Sequence, residues 1–365
     1  MAGLNWTAFQ FVTGAIICDL PGLELASGPM QRSIGQMEST NLNLNLDAIT
    51  APEWMAATEK GSAGIVAWSG DPASPVIKWG GVVTQRVRDP FSPSVQLALS
   101  TPEAHLASVQ VGSLATTDNQ DTLVADLMGF ATGTNMPPWV LTHVTPSTQQ
   151  QTVTYTAGQS NVSVLSALQT LSAYYGGPEW FTGWQWNVAA GTIVPTFTYG
   201  SRIGRVADPV LGPSVVFEAN DMQAGSSFTE DYSAGYGANQ VTMMGTASGS
   251  VGSTSATATA ASLAGRPLWN MTYTPSVATT DATALGQFAY AAVTQLAAGS
   301  QTVKLVVSKD LPGKRVGADW DLGDDIGYIF TGPAFPRPIS KTARCVGYAV
   351  DLTTATPMLQ GVVLP

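Results

Sequence analysis

Val76-Ile77-Lys78-Trp79-Gly80-Gly81-Val82-Val83-Thr84-Gln85-Arg86-Val87, with Val95-Gln96-Leu97-Ala98-Leu99-Ser100 shortly after it, decides the fold class of this chain. The β-branched residues read as two short strands around a Gly-Gly kink. A glycine pair inside such a run predicts a bulge or a close backbone approach, not a loop.

The residues on either side extend a sheet. Phe9 to Leu20 is an apolar, strand-like run that stops at the turn signal Asp19-Leu20-Pro21-Gly22. Leu42, Leu44 and Leu46 alternate with Asn41, Asn43 and Asn45, which places the leucines on one face. Gly64 to Ser69 adds a further strand, and residues 51–60, with Pro52 near the first turn, predict a short helix. Residues 1–110 are therefore expected to form a β-domain.

The period then changes. Leu123, Leu127 and Phe130 recur at helical spacing after Asp121, and Val162, Leu165, Leu168 and Leu171 do so after Ser160-Asn161. Thr152 to Thr156 between them is a strand candidate. Tyr174-Tyr175-Gly176-Gly177-Pro178-Glu179-Trp180 ends the second helix, and Trp184 to Tyr199 reads as a hairpin. Residues 111–205 are expected to form a small α/β domain.

Residues 206–365 return to strands at Val215 to Phe217, Ala238 to Met244, Val303 to Ser308, Ile326 to Phe330, Arg344 to Leu352 and Met358 to Leu364. Asp281 to Leu296 is a helix capped by Thr280 or Asp281. The Gly/Ser/Ala/Thr segment 245–265 is too poor in large apolar residues to order itself and predicts a flexible loop. The fold class expected is mainly β with an α/β insert.

Composition narrows the function. The chain has 365 residues, 44% of them hydrophobic, enough for two or three domains. Only 11% are charged, against about a quarter in ordinary soluble domains, which suits a surface largely covered by partners. A net charge of −10 argues against gripping phosphate backbones. Cys18 and Cys345 lie in apolar runs and read as buried free thiols, too few for a disulfide framework or a four-thiolate zinc site. The opening residues lack a basic n-region and no apolar run approaches the ~20 residues of a membrane span, so synthesis in a cytoplasm is expected.

Catalytic vocabulary is scarce. His105 and His143 stand in no sequence relation to a Ser or Cys nucleophile, and Gly200-Ser201-Arg202-Ile203-Gly204-Arg205 has neither a Walker lysine nor dinucleotide spacing. Asp319, Asp321, Asp324 and Asp325 could gather oxygen ligands for Ca²⁺. EF-hand spacing is missing, and a solvated turn before the next strand is the simpler reading. Trp180, Phe181, Trp184 and Trp186 suit core packing between domains, or stacking on sugar rings. Lys78, Arg86 and Arg88 read as a solvated strand face or as a contact between subunits. No catalytic, cofactor-binding or metal-ligating residue is assigned, and the chain is not expected to be an enzyme.

Ala15-Ile16-Ile17-Cys18-Asp19-Leu20, Leu42-Asn43-Leu44-Asn45-Leu46, Trp79-Gly80-Gly81-Val82-Val83 and Val95 to Ser100 leading into Thr101-Pro102-Glu103-Ala104-His105-Leu106 stand in a set order. Gly177-Pro178-Glu179-Trp180, Asp321-Leu322-Gly323-Asp324-Asp325-Ile326 and Arg344-Cys345-Val346-Gly347-Tyr348-Ala349-Val350-Asp351 continue it. That order resembles siphophage baseplate hub proteins, the minor tail or tail-associated hub family of actinobacteriophage type.

The resemblance implies two tube-type β-barrel domains flanking the small α/β domain, three copies closing into a ring at the virion tail tip. It implies as partners a distal tail protein, the end of the tape-measure protein and other minor tail or fibre proteins, with assembly in the host cytoplasm. It implies a passage for DNA during ejection without specific nucleic-acid binding, and neither cofactor nor membrane span. A glycan- or receptor-binding tail module is the alternative, and a peptidoglycan hydrolase a third class.

Overall fold

The computed structural model describes residues 3–48, 53–158, 161–174, 177–233, 235–247, 250–260, 267–274, 280–297 and 299–360. The chain divides into two units, residues 1–224 with 306–358, and residues 225–305 with 359–365.

The first unit opens with β1 (Asn5–Gln10), β2 (Ile16–Asp19), β3 (Leu23–Leu25), β4 (Met30–Ser33), β5 (Ser39–Asn45), α1 (Trp54–Ala57), β6 (Ala63–Ser69), β7 (Val76–Arg88) and β8 (Ser94–Ser100). All the strands except β4 form one sheet in the order β2-β1-β6-β7-β8-β5-β3. Leu42 and Leu44 are fully buried, so the Leu/Asn alternation does set one face inward. Phe9 to Leu20 is a hairpin and not a single run, because Gly14 takes φ +75° and its N–H donates to the Gln10 carbonyl. The helix expected over 51–60 is a single turn, with 51 and 52 outside the described residues.

The opening stretch also differs from expectation. Val76–Arg88 is one strand of 13 residues, and Gly80 and Gly81 pair in register with Val66 and Ile65. The irregularities lie on either side of the glycines, at Lys78 opposite β6 and at Thr84 opposite β8. The pair serves close approach instead. A Cβ on Gly80 would meet the Trp184 indole, with Cδ1 at 2.6 Å, and one on Gly81 would sit 2.6 Å from Cη2 of Trp79.

After α2 (Glu103–Ser108), whose Leu106 packs with the residues that follow, the stretch expected as the insert holds β9 (Leu114–Asn119), α3 (Gln120–Gly129), β10 (Val140–His143), β11 (Gln150–Tyr155), α4 (Val164–Ser172), β12 (Glu179–Asn187) and β13 (Thr192–Gly200). β9 pairs with β11, and β10, β13 and β12 form a second small sheet. Leu106, Leu123, Leu127, Leu168, Trp180 and Phe197 pack as its core. The cap of α4 is Ser163, whose hydroxyl accepts from Ser166 N–H at 3.2 Å; Ser160 lies outside the described residues. The chain leaves the insert through residues 201–214 into β14 (Val215–Glu218).

The second unit holds β15 (Ser227–Asp231), β16 (Gln240–Ala247), β17 (Ser250–Thr259), β18 (Asn270–Tyr273), α5 (Ala282–Leu296) and β19 (Ser300–Lys304). β16 lies between β17 and β18, β15 pairs with β19, and Asp281 caps α5 through Thr283 N–H at 2.9 Å. β17 overturns the flexible-loop reading of 245–265 over residues 250–259; 261–265 lie outside the described residues. Ala256, Ala258 and Ala260 pack toward Leu285, Ala289 and Ala292, while Ser255, Thr257 and Thr259 face outward. An Ala/Thr alternation is a strand period written in small side chains.

The chain returns to the first unit in β20 (Val307–Ser308), β21 (Asp325–Gly332), β22 (Phe335–Val350) and β23 (Thr354–Leu359). The order is β14-β21-β22-β23-β20, and β4 from the N-terminal region pairs antiparallel with β22, Arg32 opposite Tyr348. Val303 to Ser308 is therefore two strands, and residues 361–364 of the last expected strand lie outside the described residues. The architecture is mainly β with an α/β insert, as the sequence implied.

Candidate functional site

β4 carries Arg32 out of the first sheet's sequence and into the second sheet, where several quoted motifs meet. The Arg32 guanidinium donates to Tyr348 Oη at 2.7 Å and to the Thr182 carbonyl, and Asp321 stands 3.6 Å away. It lies over the Phe181 and Tyr348 rings at 5.6 and 5.5 Å. Burial works against its charge, but Tyr348 and Asp321 more than offset that, so the guanidinium stays protonated. A planar cation held between aromatic faces is a task for Arg rather than Lys.

Lys78 occupies the irregular position of β7 and is fully buried, which corrects its reading as part of a solvated face. Nζ donates to the carbonyls of Val316 at 2.9 Å and Lys309 at 3.3 Å, with Asp310 at 3.2 Å. Burial pushes the lysine down from its ordinary range. Burial also pulls Asp310 up, yet hydrogen bonds from Lys309 and Ser69, with the Lys78 charge, hold its carboxyl at about 2. Arg86 is committed to Met55 O, Thr58 and Glu59, and Arg88 is exposed.

Glu179 at the start of β12 takes both Arg344 Nη groups in a fork. Arg344 also donates to Ile203 O at 3.1 Å and Gly323 O at 3.3 Å, while Ile203 N–H donates to Glu179 at 3.0 Å. Here the 201–205 segment lies against the 321–324 turn, and Gly204 (φ +79°) and Gly323 (φ +86°) meet backbone to backbone. Arg205 pairs with Asp324 at 2.5 Å, Arg202 with Asp325 at 2.7 Å, and Arg315 with Asp319 at 3.0 Å.

The acidic cluster is thus neutralised by arginines. Asp324 is buried, so the turn is not a fully solvated one, and no group of three or more His, Cys, Asp or Glu is placed to hold a metal among the described residues. The Gly200–Arg205 run supplies two of those arginines.

The histidines stand apart. His143 lies 3.1 Å from Asp121 and stacks on Tyr199, while the nearby Ser147 hydroxyl donates to Gln120 and not to the imidazole. His105 is packed edge-on to Phe11, its pKa lowered by burial. Cys345 is buried and its thiol pushed up by burial; Cys18 is only partly buried, contrary to expectation, and both are free.

The aromatic cluster divides. Trp180 belongs to the insert core, whereas Trp184 packs edge-on to Phe9 and Trp186 to Trp68 in the first sheet. Phe181, Trp184 and Trp186 also line a groove of about 600 Å³ with Arg32 and Asp321.

No family model matches the chain, and no curated protein matches it in sequence. Among solved structures, the 43 kDa tail protein of prophage MuSo2 from Shewanella oneidensis aligns over 98% of this chain and 98% of its own, at TM-score 0.51 and 13% identity. The fold is the one seen in that tail protein. The Francisella PdpA–VgrG complex, half-lidded, matches all of this chain and 59% of its own at TM-score 0.54 and 7% identity. Its lidded form matches 98% and 52% at TM-score 0.53 and 7% identity. At these identities the likeness is one of fold.

The junction residues join strands that are far apart in sequence. Arg32, Asp310 and the Glu179–Arg344 pair were not singled out from sequence as partners. The signal was present for Lys78: in a chain this poor in charge, a lysine amid β-branched residues is apt to be buried and bonded.

Proposed function

We propose that this chain is a structural protein of a phage-type tail tip. In the finer form of this reading it is the baseplate hub of a siphophage, three copies closing a ring at the end of the tail tube. The ring receives the tape-measure end, anchors the distal tail protein and fibre proteins, and lets DNA pass during ejection. The hub performs no catalysis.

The observation that carries the reading is the fold shared end to end with the MuSo2 tail protein. Two features of this chain support it. The two larger sheets of the first unit, β2 to β3 and β14 to β20, are tied through β4, Lys78 and Arg32, which suits a repeating wall. Among the described residues β14 ends its sheet, and β2 ends its own with its outer edge bonded only at Ile16, to the Gly191 carbonyl at 3.2 Å; ring closure protects such edges. Native mass spectrometry of the purified chain, alone and beside its tail partners, tests the reading. Trimers in either condition support it; a monomer in both opposes it.

A glycan-binding reading is favoured by one observation, the groove in which Phe181, Trp184 and Trp186 lie beside Arg32 and Asp321. Planar aromatic faces next to polar side chains suit sugar rings. Titration with cell-wall saccharides, followed by tryptophan fluorescence, tests it; unchanged emission counts against it.

A further inference from the structure

The loop 206–212 of the first unit gathers three exposed aliphatic side chains. Val206, Val210 and Leu211 are 62, 90 and 87% exposed. Contiguous branched aliphatics left in water mark a contact surface. The loop is also closed by its own hydrogen bonds. Asp208 and Gly212 exchange two backbone hydrogen bonds, at 3.0 and 2.8 Å, and the Asp208 carboxylate accepts from the N–H groups of Val210 and Leu211 at 2.7 and 2.8 Å. Its base is pinned by Ala207 N–H on Asp325 at 2.8 Å and by the Arg205–Asp324 pair. A knob ordered before contact loses little conformational entropy on docking.

The same unit carries a complementary socket. A groove of about 500 Å³ between β2 and α1 has an apolar floor of Ala15, Ile16, Ile17, Met55 and Ala56 and a polar rim of Gln10, Ser62 and Glu59, the last paired with Lys60 and Arg86. Asp19 and Glu53 neighbour Cys18 at this edge, and neither is in an ion pair among the described residues. Arg202 and Arg205 at the foot of the knob keep 37 and 52% of their side chains exposed. The knob leads into β14, the terminal strand of the second sheet, and the socket flanks β2, the terminal strand of the first.

We propose that the 206–212 knob docks into the β2–α1 groove of a second copy of this chain. The contact is head-to-tail, so repeated copies close a ring when the rotation closes. It brings β14 of one copy beside β2 of the next, covering the edge of β14 and the part of the β2 edge beyond Ile16, and sets the exposed faces of Arg202 and Arg205, already paired with Asp325 and Asp324, beside Asp19 and Glu53. The inference rests on the ring reading above and names its surfaces.

The test uses the full chain in a Cys18→Ser background, both purified and assembled into tails. Leu211→Cys combined with Met55→Cys, mildly oxidised, is expected to give covalent dimers and trimers on a denaturing gel, and neither cysteine alone does so. Val210→Asp with Leu211→Asp is expected to abolish the trimer while leaving the circular-dichroism melt unchanged, since both residues are exposed. A trimer that survives the double aspartate variant, or that fails to cross-link, overturns the knob and leaves the ring reading standing. An unmodified chain that is monomeric both alone and in tails overturns the ring reading and the knob with it.

Discussion

The Trp184 indole lies directly over the backbone of Gly80, with Val66 on its other flank, so that a Cβ on Gly80 would meet Cδ1 at 2.6 Å and Val66 Cγ1 at 2.8 Å. This contact seats the insert's β12 on the first sheet. Gly80→Ala is expected to cost about 1–3 kcal/mol, the usual range for overpacking, read as a lower urea midpoint with an unchanged slope. A midpoint equal to that of the unmodified protein would show that Trp184 yields freely.

Gly204 and Gly323 are predicted to be less tolerant still, because their obstacles are backbone. Both have positive φ, and a Cβ on Gly204 would sit 2.5 Å from Asp324 N. Gly204→Ala should destabilise by more than Gly28→Ala, where φ is +65° but nothing lies within 4 Å and only the conformational cost of about 1 kcal/mol applies. Equal urea midpoints for the two variants would contradict the packing.

The Glu179–Arg344 fork should behave as a coupled pair. Its side chains are 25 and 16% exposed, so removing one partner strands the other, at an expected cost of about 2–4 kcal/mol. In a double-mutant cycle, Glu179→Gln and Arg344→Gln together should cost less than the sum of the single changes. Additivity would mean that the fork contributes nothing of its own.

Stability should fall at both ends of the pH range. Asp310, held at about 2 against an ordinary 3.8, binds its proton more weakly folded than unfolded, so its contribution is present above 3.8 and lost as pH falls toward 2. Cys345 and Tyr348 are both raised by burial above ordinary values of 9.0 and 10.0. The unfolded chain deprotonates first, and stability declines as pH rises past 9. Cys345→Ala should flatten the alkaline limb of urea midpoint against pH, and Asp310→Asn the acid limb; limbs that keep their slopes would refute these assignments.

Much of the fold was legible because side-chain period reports burial directly. The Leu42/Leu44 alternation, the helix after Asp281 and the Trp184–Tyr199 hairpin follow from it, as does α3, although that helix begins at Gln120, before Asp121, and ends at Gly129. The Gly80-Gly81 pair was legible as a close approach but not as a straight strand, since the approaching indole comes from a residue a hundred positions away. β17 escaped because an Ala/Thr alternation has the period of a strand without the bulk of one. The junction escaped for a different reason. Arg32 acquires its meaning from β4 crossing to β22, and Lys78, Asp310 and Arg344 acquire theirs from partners 165 to 241 positions away, contacts that no local pattern encodes.

The proposed place of this chain is the end of a tail. Immunogold electron microscopy of tail-bearing particles from the strain that carries the gene, using antibody raised against the purified chain, tests this directly. The account predicts gold confined to the tail tip; label on the capsid, or none on intact or disrupted particles, would contradict it.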